Sequence, residues 1–451
     1  MSAWLVAVWD SIRSGIWFVP TVALILAVTA AIALPRIDQA VSVSDVRGLS
    51  WMETTAEGAR STLASITGAL IAMASVAFSV SMVTLSLTTS QFGSRLLRTF
   101  LNSNATQVTL GVFLGASVYC LLVLQSIVTE EDQTFVPHLS IGLAVTSTVA
   151  AIGVFVFFMH HVAQSIQAQT VVRSVAADLD RAIEVLFPEK IGDAIEPNNE
   201  NDQEKTDSVD DHAIAVCSED EGYLQAVDGG RLLDLAHDRD IVIELAYQPG
   251  DFVVGETPLV RVISAARCDE ELCEEIRSAF VTGSRRTPRQ DIKCAIEELV
   301  EVAVRALSPG VNDPFTAVAC IDYLGAALRR LASRKTPQPL RYDGEGKLRV
   351  IARPVTFEDA LESAFGQIRE YGRGSAVVLL RLLRALEIVA AEVNSSTAAN
   401  AVKQHSEMVL SSARRNLQED ADMKRIENFQ AKVVQAVESA TDRPKSPRQQ
   451  R

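Results

Sequence analysis

Ser65, Thr67, Ser75, Ser79, Ser81, Thr84 and Ser86 stud an otherwise apolar stretch, and Ser75, Ser79, Ser86 and Ser90 fall near one face by helical spacing. Residues spaced this way share one face of a helix, so their hydroxyls form a row. Such a row can line a wet path, where hydroxyls meet water and ions. It can equally serve packing, because small residues let helices approach and a hydroxyl can bond a neighbouring helix or its own i−4 carbonyl. The residues leave both readings open. A second cluster lies in "ALSPGVNDPFTA" (306–317), where Ser308, Asn312, Asp313 and Thr316 stand beside two prolines and a glycine. Proline restricts Ser308 and glycine permits a turn, so a helix should end at Leu307. Asp313 is placed to cap the next helix, with Pro314 in its first turn. That account uses Pro309, Gly310, Asp313 and Pro314 but gives Ser308 and Asn312 no task. An effector loop is therefore the second reading; helix-terminal amides there could hold an anion, with Asp313 competing for them.

The elements that position these residues begin with four apolar runs, 15–34, 63–87, 108–128 and 138–159, none of which contains Asp, Glu, Lys or Arg. Each is near the roughly 20 residues that cross a bilayer. The first run is too long for the core of a leader, and only Arg13 precedes it, so it reads as a retained helix. The fold class is a multi-pass α-helical membrane domain of four spans over residues 1–165, with the lipid bilayer as its partner. Gly111 and Gly115 form a helix-packing signal that does not say whether its partner is in the same chain. The loop at 88–107 carries Arg95 and Arg98 and no acid; the loop at 129–137 carries Glu130, Glu131 and Asp132 and no base. The positive-inside rule puts the first in the cytoplasm, and hence both termini too. Arg36, Arg47 and Arg60, in the segment 35–62, would then lie outside, against that rule.

The fourth run continues without a breaker to Pro188. Val172, Val175, Leu179, Ile183 and Leu186 repeat at steps of three and four, so residues 166–188 read as a helical stalk continuous with the span. Its apolar seam could meet a second copy or the chain's own soluble part. His160 and His161 sit at the membrane exit as interfacial residues. Residues 189–212 are acidic and polar, a disordered linker.

The soluble half is α+β. Residues 213–284 alternate short β-branched runs with turn signals. "PGDFVVGETPLVRV" resembles the half-barrel repeats of lipoyl and biotinyl domains, which implies a small barrel-sandwich; no lysine lies between Lys205 and Lys293, so no cofactor attachment is implied. Residues 285–441 read as a helical bundle. Thr287 to Gln290 reads as a capping box opening a helix whose buried side is Ile292, Ala295, Leu299, Val302 and Ala306, with Glu297, Glu298 and Glu301 solvated. A hairpin is expected around Asp343 to Gly346, then helices near 357–371, 375–394, 397–416 and 420–440. Arg329, Arg330 and Arg334 read as a solvated face, and 442–451 as a disordered tail.

A net charge of −14 disfavours nucleic acid. The six cysteines form no CxxC pair, so they read as reduced thiols, with no metal expected. No Walker loop, GxGxxG, HExxH, GxSxG or kinase set is present, so neither an enzyme nor a cofactor is expected. The leading expectation is a homo-oligomeric channel or permeation protein whose cytosolic part regulates it; the alternative is a non-conducting scaffold or sensor. "IWFVP" (16–20), "SQFGSRLLRTFL" (90–101), "GVFLGASVYCLLVL" (111–124), "FVPHLS" (135–140), "PGDFVVGETPL" (249–259) and the 306–317 stretch together resemble the bacterial predicted membrane proteins grouped as domain of unknown function 2254. That resemblance implies a bacterial inner-membrane protein with this layout and no particular activity.

Overall fold

The computed structural model describes residues 17–40, 55–92, 104–130, 133–165, 167–187, 213–263, 269–334 and 337–441. The expected linker 189–212 and tail 442–451 lie outside these residues, as do Arg47, Arg95, Arg98, Glu131, Asp132 and Cys268. The chain divides into two compact units, residues 1–170 and 171–451.

The first unit holds four helices long and apolar enough to cross a membrane: α1 (Phe18–Ala40), α2 (Ala56–Phe92), α3 (Asn104–Gln125) and α4 (His138–Ser165). Even α3, with 22 residues, is about 33 Å long at 1.5 Å per residue, enough for a hydrocarbon core of about 30 Å. α1 runs through Pro35 to Ala40, past the expected end at residue 34. α3 is the central helix: more than half of its apolar stretch is covered by protein, against 17% for α1. Leu63, Leu70, Phe113, Cys120 and Phe158 fill the core of this unit. Between α3 and α4 the chain forms a small antiparallel pair, β1 (Val128–Glu130) and β2 (Gln133–Phe135).

The expected continuous stalk is interrupted. α4 ends at Ser165, Gln167 is not helical, and α5 (Ala168–Leu186) starts afresh. The buried seam of α5 begins only at Val171. Val172, Val175, Leu179 and Ile183 are buried within the chain itself. Arg330 pairs with Asp180, and the Arg334 guanidinium donates to Ile183 O (2.7 Å) and Phe187 O, at the carbonyl end of α5. A cation there offsets the helix dipole. Arg329 pairs with Glu392. Arg329 and Arg330 are exposed, as a solvated face requires, and all three arginines also tie elements together.

The β region is open, which corrects the expected barrel-sandwich. One sheet has the order β3-β7-β5-β10-β9, from β3 (Ile214–Cys217), β7 (Pro258–Ile263), β5 (Val242–Leu245), β10 (Leu348–Ile351) and β9 (Leu340–Tyr342); only β5 and β10 pair in parallel. A second sheet, β6-β4-β8, contains β6 (Phe252–Val253), β4 (Gly222–Val227) and β8 (Phe280–Gly283). Helices α6 (Gly229–Asp238) and α7 (Glu270–Arg277) put Leu232, Ala236, Leu272 and Ile276 into the core between them. The hairpin at 340–351 arrives from far along the chain and completes the first sheet, so this core extends beyond residues 213–284.

Arg349 Nε donates to Asp343 Oδ2 (2.7 Å), and His237 Nδ1 lies 3.0 Å from the same oxygen. The Arg349 guanidinium holds the Asp343 carboxyl well below the usual carboxylate range. A carboxyl with a depressed folded-state pKa stabilises the fold above its unfolded value, about 3.9, and loses that contribution as pH falls. Asp343→Asn should accordingly flatten the acid limb of a stability-versus-pH curve below about pH 4, measured by chemical denaturation at fixed pH. An unchanged limb would remove Asp343 from the acid response.

Six helices follow or interleave with the sheets: α8 (Ile292–Ala306), α9 (Pro314–Ser333), α10 (Phe357–Tyr371), α11 (Ala376–Ala390), α12 (Ser396–Asn416) and α13 (Asp420–Thr441). Ile292, Ala295, Leu299, Val302 and Ala306 are buried as their spacing requires. Asp291 caps α8, accepting from Cys294 N at 3.0 Å; Thr287 does not. The Gln290 amide instead bonds both backbone groups of Val227 on β4. Glu297 is half-buried against Arg286 and Glu301 against Arg305, so that face is not simply solvated.

Candidate functional site

α2 buries one side. Leu63, Thr67, Leu70, Ala74, Ala77, Thr84 and Thr88 recur at steps of three, four and seven residues and are covered by the rest of the chain. At about 100° per residue, Ser75, Ser79, Ser86 and Ser90 fall within about 60° of arc on the opposite side. All four are exposed. The exposed row is longer than the four serines. Ser61, Ser65, Gly68, Ala72, Ser75, Ser79, Met82 and Ser86 follow alternating steps of four and three, and all are exposed. Steps of that kind make a heptad seam, and small side chains let two backbones come close. Ser75 Oγ donates to Ile71 O (2.9 Å) and Ser90 Oγ to Leu87 O (2.9 Å). These two hydroxyls serve their own helix while facing away from the chain's core. Ser61, Gly68 and Ala72 went unread in the sequence, although counting small residues at heptad steps would have found them.

Gly111 and Gly115 do different work. A Cβ on Gly111 would lie 3.2 Å from Ala23 Cβ, and one on Gly115 would lie 3.2 Å from Ala23 O. The packing signal is thus satisfied by α1 of the same chain.

One end of the membrane unit carries a polar latch that sequence reading missed. Asp38, at the end of α1, accepts from Leu139 N (2.8 Å), Ser140 N (3.0 Å) and Ser140 Oγ (2.6 Å). It is the N-cap of α4, supplied from another helix. Its charge meets the positive end of the α4 dipole and satisfies amides that have no partner inside the helix. The Tyr119 hydroxyl donates to Ser140 O (3.0 Å), and Arg60 donates to Ile127 O (3.0 Å). The only signal in the sequence was a lone carboxylate just past an apolar run.

The 305–317 loop is largely self-satisfied. Ser308 Oγ donates to Arg305 O (2.6 Å), and Ser308 O accepts from Val311 N and Asn312 N. Asn312 has φ +51°, the left-handed region that asparagine tolerates better than most residues. Asp313 Oδ1 accepts from Phe315 N (3.1 Å) and Thr316 N (3.2 Å), and the Thr316 hydroxyl donates to Asp313 Oδ2. Ser308, Asn312, Asp313 and Thr316 are all used by the turn and cap. Val311 and Phe315 are not; Phe315 is 82% exposed. Cys320, one turn further on, is fully buried, and burial pushes its thiol up to about 12, which removes it as a nucleophile.

The family model described as "Predicted membrane protein (DUF2254)" matches residues 13–388. The chain belongs to that family. The match takes in all four spans, both sheets and the helices through most of α11, and stops short of α12 and α13. Two proteins described as uncharacterized, from Mycobacterium bovis and Mycobacterium tuberculosis, are each 26% identical over 437 residues, covering 96% of this chain and 82% of their own length. No solved structure matches. As a member of the family, the chain is a membrane protein with four apolar helices followed by a region of helices and small mixed sheets.

Proposed function

We propose that this membrane protein is a homo-oligomeric permeation protein of the bacterial inner membrane, with no catalytic role of its own. The observation that carries this reading is the exposed heptad seam of small residues on α2. A row of mostly small residues turned away from the chain's own core supports close approach by a helix of another copy. In an assembly of copies, Ser75, Ser79, Ser86 and Ser90 would face inward and could contact water. The charges of Arg95 and Arg98 on one side, and of Glu130, Glu131 and Asp132 on the other, support both termini being cytoplasmic. Residues 171–451 would then form a cytosolic regulatory part. The test is ion flux in liposomes holding the full-length protein. Ser79→Leu and Ser86→Leu should abolish flux and leave thermal unfolding unchanged. Normal flux in both variants sinks the pore assignment.

Val311 and Phe315 favour a second reading, a non-conducting scaffold or sensor. Two exposed apolar side chains on a loop whose Ser308, Asp313 and Thr316 side chains are occupied suit contact with a partner. On this reading no ion or pH produces flux. A stoichiometric partner would be retained by Asn312→Ala and lost by Phe315→Ser; retention by both variants excludes the loop.

A further inference from the structure

The membrane unit has an apolar slot of about 540 Å³ between the start of α3 and the second half of α4. Ala105, Val108 and Thr109 form one wall, and Ala150, Gly153 and Phe157 the other. Thr109 does not make the slot polar, because its hydroxyl donates to Ala105 O (2.7 Å) on its own helix. Nothing lies within 4 Å of a Cβ built on Gly153, so there is room there for a bound group. The slot is open along one side, where Ala150, Gly153 and Phe157 are exposed.

The position decides what fills it. The slot lies within the stretches that cross the membrane, with no charged group on its walls. From Ala150 to Phe157 it is about 10 Å long, or two helical turns. A helix from another copy would be about 10 Å wide and would need several turns of contact. A hydrocarbon chain is thinner and flexible, and the bilayer supplies it at high concentration. One turn beyond Phe157 the surface becomes polar: the Phe157 ring stacks on His161 at 6.1 Å, and Gln164 bonds His160 at 3.0 Å. A lipid whose tail enters the slot would carry its headgroup to that level. We propose that the slot holds an acyl chain of a membrane phospholipid as a fixed part of the fold.

Two measurements on the full-length protein test this. The first uses vesicles of phosphatidylcholine with a diazirine on one acyl chain, which is photolysed. Label should concentrate on the slot residues over lipid-facing Val149 and Val156 by about tenfold, the ratio that 1.4 kcal/mol of preference gives. Label spread evenly over α4 overturns the proposal. The second is native mass spectrometry in detergent after washing off loosely held lipid. The wild-type protein should keep a single phospholipid per chain, Val156→Phe should keep it, and Gly153→Phe should lose it. Equal retention by Gly153→Phe, or no retention by wild type, overturns the proposal. Disulfide-linked pairs formed by Gly153→Cys in membranes would do so as well, by identifying a second copy as the occupant.

Discussion

Gly115→Leu should leave little correctly folded membrane unit. A Cβ at this position already sits 3.2 Å from the Ala23 carbonyl oxygen, a backbone atom that moves only if α1 moves. Leucine adds three more carbons in the same direction. Overpacking of this kind costs typically 1–3 kcal/mol where side chains can give way, and more where backbone must. Helix propensity offers at most about 1 kcal/mol in return when glycine is replaced. Gly115→Ala sits near the balance of these two effects and should change stability little. In detergent, size-exclusion chromatography and thermal unfolding should rank wild type and Gly115→Ala close together, with Gly115→Leu aggregated or far less stable. Equal behaviour of all three would mean that α1 does not rest on this face of α3.

Arg286→Met should cost about 3–5 kcal/mol, the range for removing one partner of a buried ion pair. Arg286 Nε donates to Asp291 Oδ2 (2.8 Å), and Nη1 to Glu297 Oε2 (2.6 Å). Asp291 is only 1% exposed and also caps α8. Gly250, at φ +100°, passes so close that a Cβ there would overlap the Asp291 carboxylate, so the backbone covers one side of it. Without Arg286, the buried Asp291 carboxylate loses its counter-ion. The fall in Tm should be on the order of 10 °C. Asn at 291 keeps a capping oxygen without the charge, so Arg286→Met should cost much less in an Asp291→Asn background. Additive effects in the double variant would show that the pair is not coupled.

Both predictions rest on contacts of different legibility. The Gly111 and Gly115 spacing announced close packing, but nothing local said that α1 was the partner. Arg286 and Asp291 are five residues apart, yet the sequence suggested a cap at Thr287, because a capping box was complete there on paper. The structure favours Asp291 because Gln290 is drawn away to pair with β4, a strand more than sixty residues earlier in the chain. The open sheet has the same kind of origin. The turn signals at 249–256 were legible, but closure depends on what lies at the sheet edge, and β10 arrives there from residue 348.

By itself the sequence determined the four apolar helices, the bundle helices, the cap at Asp313 and the buried side of α8. Each follows from hydropathy, or from hydrogen bonds within a few residues, so neighbours along the chain suffice. Only the tertiary structure decided that the α5 seam is covered by its own chain and that Asp38 caps α4 across about 100 residues. It alone decided that the serine face of α2 points away from the core. A helix apolar on every side carries no mark of which face will be covered. That choice is made by the shapes of the other helices, and small residues are equally suited to either side of it.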